Sequence, residues 1–177
     1  MEIVHKEPRT KLRKITIHKN LIFREIDRLS FRLADTAAED VLKDKISTDT
    51  EDALDGSILN SLLEQREATI RQKLSFALQD EEITELDNSN TMNGDFVYNI
   101  VLPESFPDKQ LPMMAKSLND YLVKGTLLDW YTSIGTSFGA NLAMEVAQLE
   151  SRIVDIIRKP SFVRHPSVVY FNSHKLR

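Results

Sequence analysis

Cysteine is absent from the 177 residues of this chain. That excludes a disulfide framework, a thiolate zinc site and a cysteine nucleophile, and it suits a reducing compartment. Long apolar runs are missing too: nothing approaches the roughly 18 residues of a membrane span. The start, "MEIVHKEPRTKLRK", has no apolar core of the signal-peptide kind. These absences lead to the expectation of a protein made in the cytoplasm, with no membrane contact.

Catalytic constellations are missing as well. His5, His18, His165 and His174 lie in or near the basic ends, with no H-E-x-x-H and no metal spacing to carboxylates. The acidic window "DEEITE" lacks the alternation and central glycine of a calcium loop. "GTSFGAN" precedes a helix, but it follows another helix rather than a strand and contains no Gly-Lys-Ser/Thr, so a tight helix–helix turn explains it better than a phosphate site. Glu145 and Glu150 have no matching Glu-x-x-His, which removes a di-metal bundle. The sequence predicts no enzyme, no cofactor and no metal.

What is present is a segregation of charge. The formal net charge of −4 divides into +5 over residues 1–32, −12 over 33–110 and +3 over 111–177. Asymmetry of this kind speaks to partners rather than to fold.

Hydrophobic spacing predicts a mainly α chain: a four-helix bundle with two short strands and extended basic arms at both ends. A first helix is expected from Ile17 to about Ala38, on the stripe Ile22, Ile26, Leu29 and Leu33, with Thr16 or Asn20 as cap. An acidic connector leads to a second, from about Ser57 to Leu78, with Leu59, Leu63, Ile70, Leu74 and Ala77 on one face. "FVYNIVLP" alternates as a strand over 96–102. A third helix runs to about Tyr131 on Met114, Leu118, Tyr121, Leu122 and Leu128. A fourth, from Gly139 to Arg158, uses Leu142, Val146, Leu149, Ile153 and Ile157, and Pro160 closes it. "SVVYFN" reads as a second short strand, and each strand must find a partner in the other or in a neighbouring chain. The organisation is then a basic arm over 1–16, a helical domain over 17–159 and a basic, aromatic arm over 160–177.

The ends carry the candidate binding residues. Arg158, Lys159, Arg164, Lys175 and Arg177 interleave with Phe162, Tyr170 and Phe171. Basic plus aromatic serves nucleic acid through phosphate contacts and stacking, or serves a strand that docks on a partner's sheet edge against an acidic surface. The −12 middle of an identical neighbour would supply that surface, and it would repel phosphate. Trp130, the one tryptophan, is either a plug between two helices or an interface anchor.

The stretch "FVYNIVLPESF…LPMMAKSLNDYLVKGTLLDWYTSIG", the small-residue helix "ANLAMEVAQLESRIVDIIRK" and the basic "VRHP" tail together resemble head–tail connector proteins of tailed phages and prophages. The shared features are Leu127, Asp129 and Trp130 as Leu-x-Asp-Trp, then Arg152, Arg158, Lys159, Arg164 and Pro166, within residues 96–166. This tail is less arginine-dense than the pattern, and the N-terminal third departs from it with a longer basic arm. The resemblance implies a virion structural protein, made in the host cytoplasm. It would form a homo-oligomeric ring at the neck, joined to portal and tail proteins through its arms, with DNA passing through the ring without sequence-specific binding. The rivals are a DNA-binding protein using the basic termini and a small monomeric accessory protein.

Overall fold

A computed structural model gives the architecture and describes residues 10–36, 53–79, 94–134 and 139–158. Within them the chain is mainly helical, with four helices and a two-stranded antiparallel sheet. In chain order the elements are β1 (Thr10–Ile17), α1 (Lys19–Thr36), α2 (Ala53–Leu74), β2 (Phe96–Pro103), α3 (Leu111–Ser133) and α4 (Gly139–Arg158). A single 3-10 turn, Asp108–Gln110, leads into α3.

The strand expected over 96–102 has its partner near the start of the described residues. β1 pairs with β2 in a register that sets Thr10 opposite Pro103 and Ile17 opposite Phe96. Two expectations are therefore corrected. Residues 10–16 do not belong to an arm, and β2 does not wait for "SVVYFN" or for a neighbouring chain. The physical reason is the period-2 pattern of "TKLRKITI", which puts Ile15 and Ile17 on the buried face. Opposite them stand Tyr98 and Phe96, and further along Ile100 and Leu102, all buried. Only two apolar residues mark β1's inner face, so the basic residues around them hide the pattern.

Backbone hydrogen bonds fix which edge of each strand is filled. The Val101 N–H donates to the Ala77 carbonyl at 2.7 Å, and the Gln79 N–H donates to the Asn99 carbonyl at 2.9 Å. Odd-numbered β2 residues therefore point their backbone groups toward 77–79, and the even-numbered ones point toward β1. Pro103 falls in the odd set, so its missing N–H removes no bond to β1. By the same alternation Lys11, Arg13, Ile15 and Ile17 face β2, and Leu12, Lys14 and Thr16 turn their N–H and C=O groups to the outer edge. Among the described residues no strand covers that edge.

Helix bounds depart from expectation where the sheet intervenes. α1 starts at Lys19, with the His18 carbonyl accepting the first bonds from Leu21 and Ile22 at 3.1 and 3.3 Å. Thr16 is in the strand and Asn20 is inside the helix, so neither caps. α2 begins at Ala53 and ends at Leu74; Ala77–Gln79 turns back to pair with β2 rather than continuing the helix. The expected faces hold: Ile22 and Ile26 on α1, Leu59, Leu63, Ile70 and Leu74 on α2, and Val146 and Ile153 on α4 are buried.

α3 is the hub. It packs against α1, α2, α4 and β1, and it is buried on more than one face, at Leu118, Tyr121, Leu122, Val123, Leu127 and Tyr131 among others. Pro112 lies in its first turn, where a missing N–H removes no helical bond. The Thr126 hydroxyl, fully buried, donates to the Leu122 carbonyl at 2.8 Å.

Candidate functional site

Some charged side chains of the described residues tie elements together, and others face an open groove. In the first group, the Arg66 guanidinium on α2 forks onto both carboxylate oxygens of Asp129 on α3, at 2.5 Å each. Asp129 is the acidic residue of the Leu-x-Asp-Trp motif. Its carboxylate raises the Arg66 pKa above the ordinary arginine value, against the opposing pull of burial, and Tyr121 adds a smaller effect in the same direction. The approach needs Gly125: a Cβ there would stand 3.0 Å from Arg66 Cδ. The motif's other members, Leu127 and Trp130, are both buried.

Further pairs join other elements. Lys19 Nζ donates to Glu64 Oε1 at 3.1 Å, linking α1 to α2, while it lies 4.9 Å from the centre of the Phe96 ring. Lys124 pairs with Glu145 at 2.5 Å between α3 and α4, and Lys73 pairs with Glu150 between α2 and α4. Arg13 reaches Asp108 at 2.5 Å, and His18 Nδ1 lies 2.7 Å from Asp95 Oδ2. Arg71 holds Glu67 at 2.6 Å, donates to the Val97 carbonyl at 3.0 Å and stacks over Tyr98 at 5.1 Å. Tyr98 is pushed far above the ordinary tyrosine pKa, first by burial and then by the Glu67 carboxylate; burial pushes Tyr131 up to about 12. These arrangements fix geometry. Glu145 and Glu150, the carboxylates weighed for a metal, are engaged with lysines, and among the described residues no group of three His, Asp or Glu is placed to hold a metal ion.

The second group lines an open groove of about 590 Å³ between the start of α1 and the first half of α3. Arg24, Arg28 and Lys116 form its charged wall, Thr16 and Asn119 its polar rim, and Ile17 and Ala115 part of its floor. Arg28 also holds Glu25 at 2.6 Å. Neither Arg24 nor Lys116 has an ion-pair partner among the described residues. The groove runs up to Thr16, which belongs to the open edge of β1.

Of the residues expected to bind partners, two lie in the described structure. Arg158, in the last turn of α4, sits over the exposed Phe76 ring at 4.9 Å and so braces the turn after α2. Trp130 is buried in the single chain. Lys159, Phe162, Arg164, Tyr170, Phe171, Lys175 and Arg177 lie outside the described residues, as do the window "DEEITE" and the loop residues 135–138. The groove leaves little local pattern in the sequence because it draws on β1, α1 and α3, far apart along the chain. Its only sequence signal is the row Arg24, Arg28 and Arg32 at four-residue steps. No described helix is long and apolar enough to cross a membrane. No family model, no curated protein and no solved structure matches this chain.

Proposed function

We propose that this chain is a non-catalytic structural subunit that assembles with copies of itself and with neighbouring proteins, as the resemblance to phage head–tail connectors implies. In that reading the four helices are bundled, the basic arms reach adjacent subunits, and the oligomer is a ring between portal and tail. The observation that carries it is the outer edge of β1, which no strand among the described residues covers and where Leu12, Lys14 and Thr16 turn their backbone groups away from β2. An uncovered strand edge is a template for another strand, and strand addition is a recurrent way for proteins to join. The charge distribution supports the same reading. The described fold carries a net charge of +1, the segments 37–52 and 80–93 carry −4 and −5, and residues 159–177 carry +4. Acid and base on one chain let identical subunits meet head-to-tail.

The test is particle composition. Virions purified from the strain that encodes this chain should contain it in several copies per particle by quantitative mass spectrometry. Its absence from mature particles overturns the proposal.

A further inference from the structure

The charge of the groove between α1 and α3 is one-sided. Arg24 and Lys116 face it without ion-pair partners among the described residues, Arg28 joins them, and Glu25 is the one carboxylate in its lining. It opens beside Thr16, whose backbone N–H and C=O point out of the free edge of β1. Leu21, 46% exposed, adds an apolar contact on the same side. A ligand lying along this path therefore meets backbone donors and acceptors, the apolar side chains of Ile17, Leu21 and Ala115, the His18 ring and three cations beside one carboxylate.

That combination fits an extended, carboxylate-rich polypeptide better than a nucleic acid. The one aromatic ring in the lining is His18, and its Nδ1 lies 2.7 Å from the Asp95 carboxylate, so a base stacking there would meet a negative charge. A phosphate backbone would also have to approach a chain whose segments 37–52 and 80–93 are strongly acidic. The chain itself contains a matching ligand in residues 80–86, Asp-Glu-Glu-Ile-Thr-Glu-Leu. Bound in extended form, such a strand puts Glu81, Ile83 and Glu85 on one face, because strand side chains alternate. An isoleucine between two carboxylates complements Leu21, Arg24 and Arg28, which share one face of α1 at i, i+3 and i+7.

We infer that the groove and the adjoining edge of β1 bind residues 80–86 of a second copy of this chain as an added strand; this deepens the assembly reading above and rests on it. A second copy is the source because acid and base on one chain let identical subunits meet head-to-tail. β1 does not add to another β1, since Lys11, Arg13 and Lys14 would meet like charges across the new ladder.

The full-length chain is titrated, at low salt, with a fluorescent peptide of residues 79–88. Controls are the same peptide with Glu81→Gln, Glu82→Gln and Glu85→Gln, and a ten-residue single-stranded oligodeoxynucleotide. The native peptide should bind at least tenfold more tightly than the glutamine peptide and more tightly than the oligonucleotide. The Arg24→Glu, Lys116→Glu double variant should lose at least tenfold while keeping its helical circular dichroism, and a peptide with Glu81→Lys and Glu85→Lys should bind that variant instead. Equal binding of the two peptides, equal binding by wild type and variant, or preference for the oligonucleotide overturns the inference. Particle composition is measured separately, so a chain present in virions whose groove ignores the peptide loses this inference alone.

Discussion

Arg66, Asp129 and Gly125 form one unit, and each explains the other two. The fork between guanidinium and carboxylate is partly buried, with side-chain exposures of 20% and 29%. Removing one partner strands the other charge in a poorly solvated place. Asp129→Ala should therefore cost about 2–3 kcal/mol in chemical denaturation, and adding Arg66→Ala to it should cost little more. Gly125→Ala reads the same contact from the other side. In an ordinary helix interior the change stabilises by about 1 kcal/mol. Here the new methyl meets Arg66, so the gain should appear only in the Arg66→Ala background; the same gain in wild type would show that the close approach does not matter. Tyrosines give a pH signature. Tyr98 and Tyr131 keep their protons in the folded chain above the pH at which unfolded tyrosine loses its own, near 10. Their contribution is complete below about pH 10 and falls as pH rises through 10 and beyond, by up to about 1.4 kcal/mol per pH unit for each. Tyr98→Phe should flatten that alkaline loss in denaturation midpoints measured between pH 9 and 11, and an unchanged slope would remove Tyr98 as its source. Asp129 was visible in the sequence as part of a motif. Its partner was not, because a charge pair spanning 63 residues leaves no local pattern.

At the scale of elements, the helices were legible because their apolar stripes are long and regular. The buried positions of α2 and α4 fall where a 3.6-residue period puts them. Leu122→Ala on α3 should cost about 2–5 kcal/mol by calorimetry or denaturation, since the hub helix packs against α1, α2, α4 and β1; wild-type stability would displace α3 from that role. The first strand was not legible. Its inner face carries Arg13, Ile15 and Ile17, and an arginine at one of three positions breaks the alternation that marks a strand. Arg13 is tolerated there because its guanidinium reaches Asp108 at the entry to α3. β1 is nonetheless part of the core, so Ile15→Ala should destabilise by about 2–4 kcal/mol. Deleting residues 1–17 should abolish cooperative unfolding, because it exposes the whole β1-facing edge of β2. Deleting 160–177 should leave the helical signal nearly unchanged. Loss of folding in the second truncation, measured by circular dichroism, would mean that the tail belongs to its own core.

At the scale of the whole molecule, the net charge of −4 hides a near-neutral fold between acidic segments and a basic tail. The segregation was readable from composition; the groove and the edge beside it were not, because three separate elements build them. The same alternation that leaves this edge open makes a residue-level statement about assembly. In the free chain the amides of Leu12, Lys14 and Thr16 should exchange fast, while those of Lys11, Arg13, Ile15 and Ile17 are protected by β2. The most direct measurement is hydrogen–deuterium exchange over residues 10–17, by NMR in the free chain and by peptide mass spectrometry in purified particles. Incorporation should slow the exchange of this segment by at least tenfold, as an added strand covers the outer edge. Exchange at the same rate free and assembled would mean that the edge of β1 stays open in the particle, and would contradict assembly through this edge.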